Sequence, residues 1–121
     1  MTTPTTALRL TPDGTLTELD LGEGDRSHVQ ALTRALLDTP EPIAHIHDDD
    51  SPCILVFAGA NRARRAEPNF LGGLLLYEFT GNHRDVLGPL VFTGFLDTGN
   101  SGNITALDLD DAQFIRDTCP R

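Results

Sequence analysis

The segment Ala7-Leu8-Arg9-Leu10-Thr11-Pro12-Asp13-Gly14-Thr15-Leu16-Thr17-Glu18-Leu19-Asp20-Leu21 decides how this chain folds. Its two arms alternate apolar and polar side chains, the period of a strand with one face in a core and the other in water. Between the arms, Pro12 presets φ for the first turn position, Asp13 bonds back to the backbone and Gly14 supplies the left-handed residue. The result is a β-hairpin.

Beyond the hairpin, Gly24-Asp25 opens a helix in which Val29, Leu32 and Leu36 recur at helical spacing, with Ala35 on the flank. Asp25 suits the positive end of the helix dipole, His28 lies on the first turn near the edge of the buried face, and Thr39-Pro40 stops the helix. Pro42 to His47 reads as a strand, with Ile43, His45 and His47 on one face and Ala44 and Ile46 on the other. Cys53 to Ala58 is almost wholly apolar, which marks a central strand covered on both faces. The acidic run Asp48-Asp49-Asp50 joins the two as a long hairpin.

From Asn69 to Phe79, Asn69 can cap a helix and Phe70, Leu74 and Tyr77 share one face of it. Gly72-Gly73 weighs against a helix, since each glycine costs roughly 1 kcal/mol there. A helix is the favoured reading and a strand from Leu74 to Phe79 the alternative. Pro89 to Leu96 is a further strand and Ile104 to Leu107 a short one. Asp108, three residues ahead of Asp111, makes a capping-box-like start to a last helix that runs to about Thr118. The order β-β-α-β-β-α-β-(β)-α predicts an α+β fold. It has a mainly antiparallel sheet of about five or six strands and two or three helices, set on one face.

With 121 residues the chain reads as a single domain, residues 1–121, in which 1–6 are flexible. Eighteen acids against nine bases give a net charge of −9, which argues against direct nucleic-acid binding and against anionic membranes. All nine bases are Arg, and Asp, Leu, Gly and Thr are abundant, as GC-rich coding DNA would produce. That usage points to a high-GC bacterium or its phage. The first residues carry no export signal and no apolar run reaches the ~20 residues that span a bilayer, so a cytoplasmic protein is expected. Cys53 and Cys119 are then reduced thiols acting as small core residues.

Three groups of residues are candidates for function. His45 and His47, two apart on a strand, place their Cα atoms roughly 6.5–7 Å apart on one face. Two imidazoles at that spacing can share a zinc ion, with Asp49 or Asp50 as an oxygen ligand and an open position for water. The competing reading is a plain acidic turn. Arg62, Arg64, Arg65 and Arg84 form the basic concentration of the chain and could meet a small anionic ligand, or simply pair with neighbouring acids. A helix carrying Phe70, Leu74, Leu75, Leu76, Tyr77 and Phe79 is apolar nearly all round and needs cover on both sides. A homodimer with Leu75 and Tyr77 at its interface supplies that cover.

No nucleophile elbow surrounds Ser51 or Ser101, and Gly72-Gly73 lacks the Lys and Ser/Thr of a phosphate loop. The acid blocks Asp48 to Asp50 and Asp108 to Asp111 leave room for a DNA mimic, which needs carboxylates spaced like phosphates.

The second half resembles a known family on these residues. A polar loop ends in Pro68-Asn69 and enters an apolar helix, and a connector leads to Gly88-Pro89-Leu90-Val91-Phe92-Thr93-Gly94. An acidic turn, a short strand and a Leu-Asp helix start follow. Residues 40–117 are in this way similar to a family of small domains of unknown function found in bacteriophages, plasmids and actinobacterial mobile elements. They depart from it at Gly72-Gly73, where such domains carry good helix formers. The resemblance implies no cofactor and no catalytic residue. It implies an accessory protein of a phage or mobile element. With the small single domain and the absence of a complete catalytic set, the expected function is non-enzymatic binding of a host protein or small ligand, as in a counter-defence factor. The alternatives are a small metal-dependent enzyme using His45 and His47, and the acidic DNA mimic.

Overall fold

The structure, a computed structural model, describes residues 5–48, 51–61, 67–82, 84–97 and 102–119. Along the chain lie β1 (Thr6–Leu10), β2 (Leu16–Asp20), α1 (Asp25–Leu36), β3 (Pro40–Asp48) and β4 (Ser51–Gly59). They are followed by α2 (Phe70–Thr80), β5 (Leu90–Asp97), β6 (Gly102–Thr105) and α3 (Leu109–Thr118). The strands form one antiparallel sheet in the order β2-β1-β5-β4-β3, and β6 also pairs with β5. The α+β class and the element order expected from sequence are the ones found.

The opening hairpin closes as its turn chemistry dictates. Gly14 has φ 88°, its N–H donates to Thr11 O over 2.9 Å, and Asp13 Oδ1 accepts the Thr15 N–H over 3.0 Å. Thr6 to Leu10 then pair in register with Asp20 to Leu16. The outer edge at the far side of the sheet is β3, where Pro40 and Pro42 remove ladder donors and the register shifts between Pro42 and Ala44. Ile43, at that shift, packs with Ala44 and Ile46 against one core and not on the opposite face from them.

The helices lie on both faces of the sheet, not on one. Leu8, Leu10, Ile54, Val56, Leu90 and Phe92 pack beneath Leu75 and Leu76 of α2 and Ala112 and Ile115 of α3. Ala7, Phe57 and Val91 point the other way, towards Leu32, Ala35 and Leu36 of α1. The reason is compositional: β4 and β5 are apolar at successive positions, so each face needs its own cover. Within α1 the buried stripe is His28, Leu32, Ala35 and Leu36, while Val29 turns outward and is half exposed. His28 is held there by a 3.1 Å hydrogen bond between Nε2 and Gly22 O.

Phe70 to Thr80 is helical, with Asn69 as the N-cap, and the two glycines explain how. A Cβ on Gly72 would come within 2.6 Å of Leu90 Cδ1, and one on Gly73 within 2.9 Å of Arg84 O. Both glycines lie where α2 presses on its surroundings, so the packing gained offsets their propensity cost. Asn69 starts the helix and is itself 1% exposed. Its Oδ1 accepts the Gly72 N–H over 2.9 Å, while its Nδ2 donates to Leu10 O over 3.0 Å and Gly88 O over 2.9 Å.

Asn69→Ala should therefore lower unfolding free energy by roughly 2–3 kcal/mol, because it strands one buried donor and two carbonyls. Asn69→Asp should also destabilise at neutral pH, since a carboxylate still caps Gly72 but cannot donate to either carbonyl. Urea unfolding followed by circular dichroism checks both.

Candidate functional site

His45 sits on edge strand β3, exposed, with its ring edge-on to Phe95 at a centroid distance of 5.0 Å and 75° between planes. The ladder shifts register again between Ile46 and Asp48, so His47 lies at an irregularity. The His47 side chain, Asp49 and Asp50 lie outside the described residues. Among the described residues no group of three His, Cys, Asp or Glu side chains is placed to hold a metal ion.

Arg62, Arg64 and Arg65 also lie outside the described residues. Arg84 is exposed, and its guanidinium donates to Ile43 O, tying the α2–β5 connector to β3. That connector is further fixed by an isolated bridge between Pro68 and Leu87 and by Gly88 N–H donating to Glu67 O over 2.8 Å. Arg84 thus belongs to the wall of a cavity of about 300 Å³ at the start of α2. Pro68, Asn69, Phe70, Gly73, Asp85, Val86 and Leu87 line the rest, so the wall is mainly apolar, with Arg84 and Asp85 as its charged residues.

Phe70 connects that cavity to the outer face of α2. Phe70 is 80% exposed, Leu74 44% and Tyr77 48%, a stripe at positions i, i+4 and i+7 on one face. Leu75, expected at an interface, is instead fully buried in the core beneath its own helix. The correction is one of helical phase: Leu75 and Leu76 face the sheet, which turns Leu74 and Tyr77 outward. Phe70 and Leu74 already shared a face with Tyr77 in the sequence pattern, and that spacing was the signal for the outer stripe.

The acids near α3 act on their own helix. Asp108 caps it, with Oδ2 accepting the Asp110 N–H over 3.1 Å. Asp111 does not complete a capping box; its Oδ2 is buried without a hydrogen-bond partner. Burial, then the charges of Asp108 and Asp110, push its carboxyl above the ordinary 3.8. Cys119 is buried in the core, which raises its thiol, and Cys53 is half-buried on β4. No helix among the described residues is long and apolar enough to cross a membrane.

No family model, no curated protein and no solved structure matches this chain.

Because the Asp111 carboxyl is raised in the folded state, folding takes up protons there, and the charged form opposes folding at neutral pH. Asp111→Asn should raise Tm at pH 7. The gain should fade as pH drops through the raised value and be gone below about 3.8, where the parent is protonated folded and unfolded. Thermal melts of both proteins from pH 3 to pH 7 measure this.

Proposed function

We propose that this chain works by binding rather than by catalysis, with the outer face of α2 as its contact surface and a second copy of the chain as the occupant. The observation that carries the reading is the Phe70, Leu74 and Tyr77 stripe, three large side chains left in water on one side of a helix whose other side is core. From Phe70 to Tyr77 the helix has no charged residue, in a chain of net charge −9. Like-charge repulsion opposes self-association over most of such a surface and least over this one. A two-fold pair would set each stripe against its copy, the usual geometry of small homodimers.

This reading fits the accessory role that the resemblance to phage and mobile-element domains implies, and that role is proposed with it. In a dimer, every other surface of the domain is presented twice, to a host protein or to a small anionic ligand, and two weak contacts become one stronger one.

Sedimentation equilibrium at micromolar protein should give twice the 13.1 kDa mass of one chain. Leu74→Glu or Tyr77→Glu should return it to one chain with unchanged circular dichroism. Leu75→Glu should instead unfold the domain, because it places a carboxylate in the core. A single-chain mass for the parent protein throughout the concentration range rules the reading out.

A further inference from the structure

The opposite face of the sheet offers a different kind of site. α1 crosses that face with its closest approaches to β3, β4, β5 and β6, which leaves the β1–β2 hairpin less covered. Between hairpin and helix lie two adjoining depressions of about 260 and 230 Å³. Arg9 of β1 and Arg34 of α1 line the first from its two walls, with Leu19, Ala31 and Ala35 as the apolar surface. The second shares Arg34 and Ala31 and leads to the polar side chains of Ser27 and Gln30.

We propose that this trough binds a small organic monocarboxylate, held between the guanidinium groups of Arg9 and Arg34. Both are uncommitted within the fold. The Arg84 side chain donates to a backbone carbonyl and Arg116 pairs with Glu18 at 2.8 Å, but the side chains of Arg9 and Arg34 have no ion-pair or hydrogen-bond partner among the described residues. That is unexpected in a chain with twice as many acids as bases, 18 against 9. Arg9 Nε is moreover shielded from water with no acceptor in reach, an unmet donor that folding does not normally tolerate. An oxyanion entering the trough, with a small rotation of the Arg9 side chain, meets that edge of the guanidinium. The planar fork then matches a carboxylate with two parallel hydrogen bonds.

Charge selects the class of anion. Asp20 also lines the trough, with Oδ1 accepting the Gly22 N–H over 2.9 Å. Two guanidiniums and one carboxylate leave a local charge of about +1, which balances a single negative charge and not a dianion. The strongly acidic remainder of the surface repels a dianion further. Leu19, Ala31 and Ala35 accept the apolar body of the ligand, and the available volume limits it to a few carbon atoms beyond the carboxylate or one aromatic ring.

Nitrogen-15 NMR of the arginine side chains in the whole 121-residue chain tests this, with sodium benzoate, inorganic phosphate and sodium chloride titrated at matched ionic strength. Benzoate should move the Arg9 Nε–Hε signal saturably, and chloride should not. Arg34→Gln should weaken benzoate by roughly tenfold or more, the usual loss for one charged hydrogen-bond donor. Arg26→Gln, an exposed arginine in the first turn of the same helix, should leave binding unchanged. The wild-type Arg9 signal and the exposed Arg34 site make the result independent of whether an Arg9→Gln variant folds. A chloride response equal to that of benzoate, tighter binding of phosphate, equal weakening by Arg26→Gln, or no saturable shift would each overturn the assignment.

Discussion

The domain depends on one buried amide. Asn69 joins three parts of the chain through a single side chain: the end of β1 at Leu10, the connector at Gly88 and the first turn of α2 at Gly72. Its backbone adds two more ties, with N–H donating to Val86 O and C=O accepting from the Gly73 N–H. A residue this deeply buried needs its donors and acceptors met, and here both side-chain donors and the acceptor are. Hydrophobic packing of α2 on the sheet is tolerant of sliding. The amide is not, and it sets the height and rotation at which that apolar helix docks.

Close backbone approach is the second constraint, and it falls on glycines. Gly72 and Gly73 let α2 settle on Leu90 and on the carbonyl of Arg84. Gly94 does the same inside the sheet: a Cβ there would come within 2.2 Å of Ala106 O. At that point the edge of β5 changes partner, from β1 through Phe92 to β6 from Gly94 onward. The chain leaving β6 passes directly over Gly94 and returns to the start of β1, where Leu107 N–H donates to Thr6 O over 2.8 Å.

How much of this was legible in the sequence follows from range. The Thr11 to Thr15 turn is local chemistry and could be read directly. So could Asn69 as a helix cap. Its other two bonds reach 59 and 19 residues away, and no pattern around Asn69 announces them. Gly72-Gly73 read as a flaw in a helix because the atoms that require them, on Leu90 and Arg84, are remote in sequence. Arg9 read as the wet side of an alternating strand, whereas Ala7 and Leu8 are both buried and the sheet is covered on both faces. The outer stripe of α2 was visible as spacing, and only its phase, Leu74 in place of Leu75, needed the packed structure. For His47, Asp49, Asp50, Arg62, Arg64 and Arg65 the side chains lie outside the described residues, and those readings stand where sequence left them.

The shared edge of β5 has a consequence for how the chain is made. Its centre strand arrives late, after β1, β2, β3 and β4, and its two edge partners come from opposite ends of the sequence. A ribosome therefore releases two separate hairpins before the strand that welds them exists, each with an apolar face it cannot yet hide. Joining them requires contacts of very high sequence separation, the kind that are paid for in entropy before they return anything. The finished sheet is thus a late, all-at-once event, and the interval before it is when the nascent chain is most open to aggregation or to capture by a chaperone.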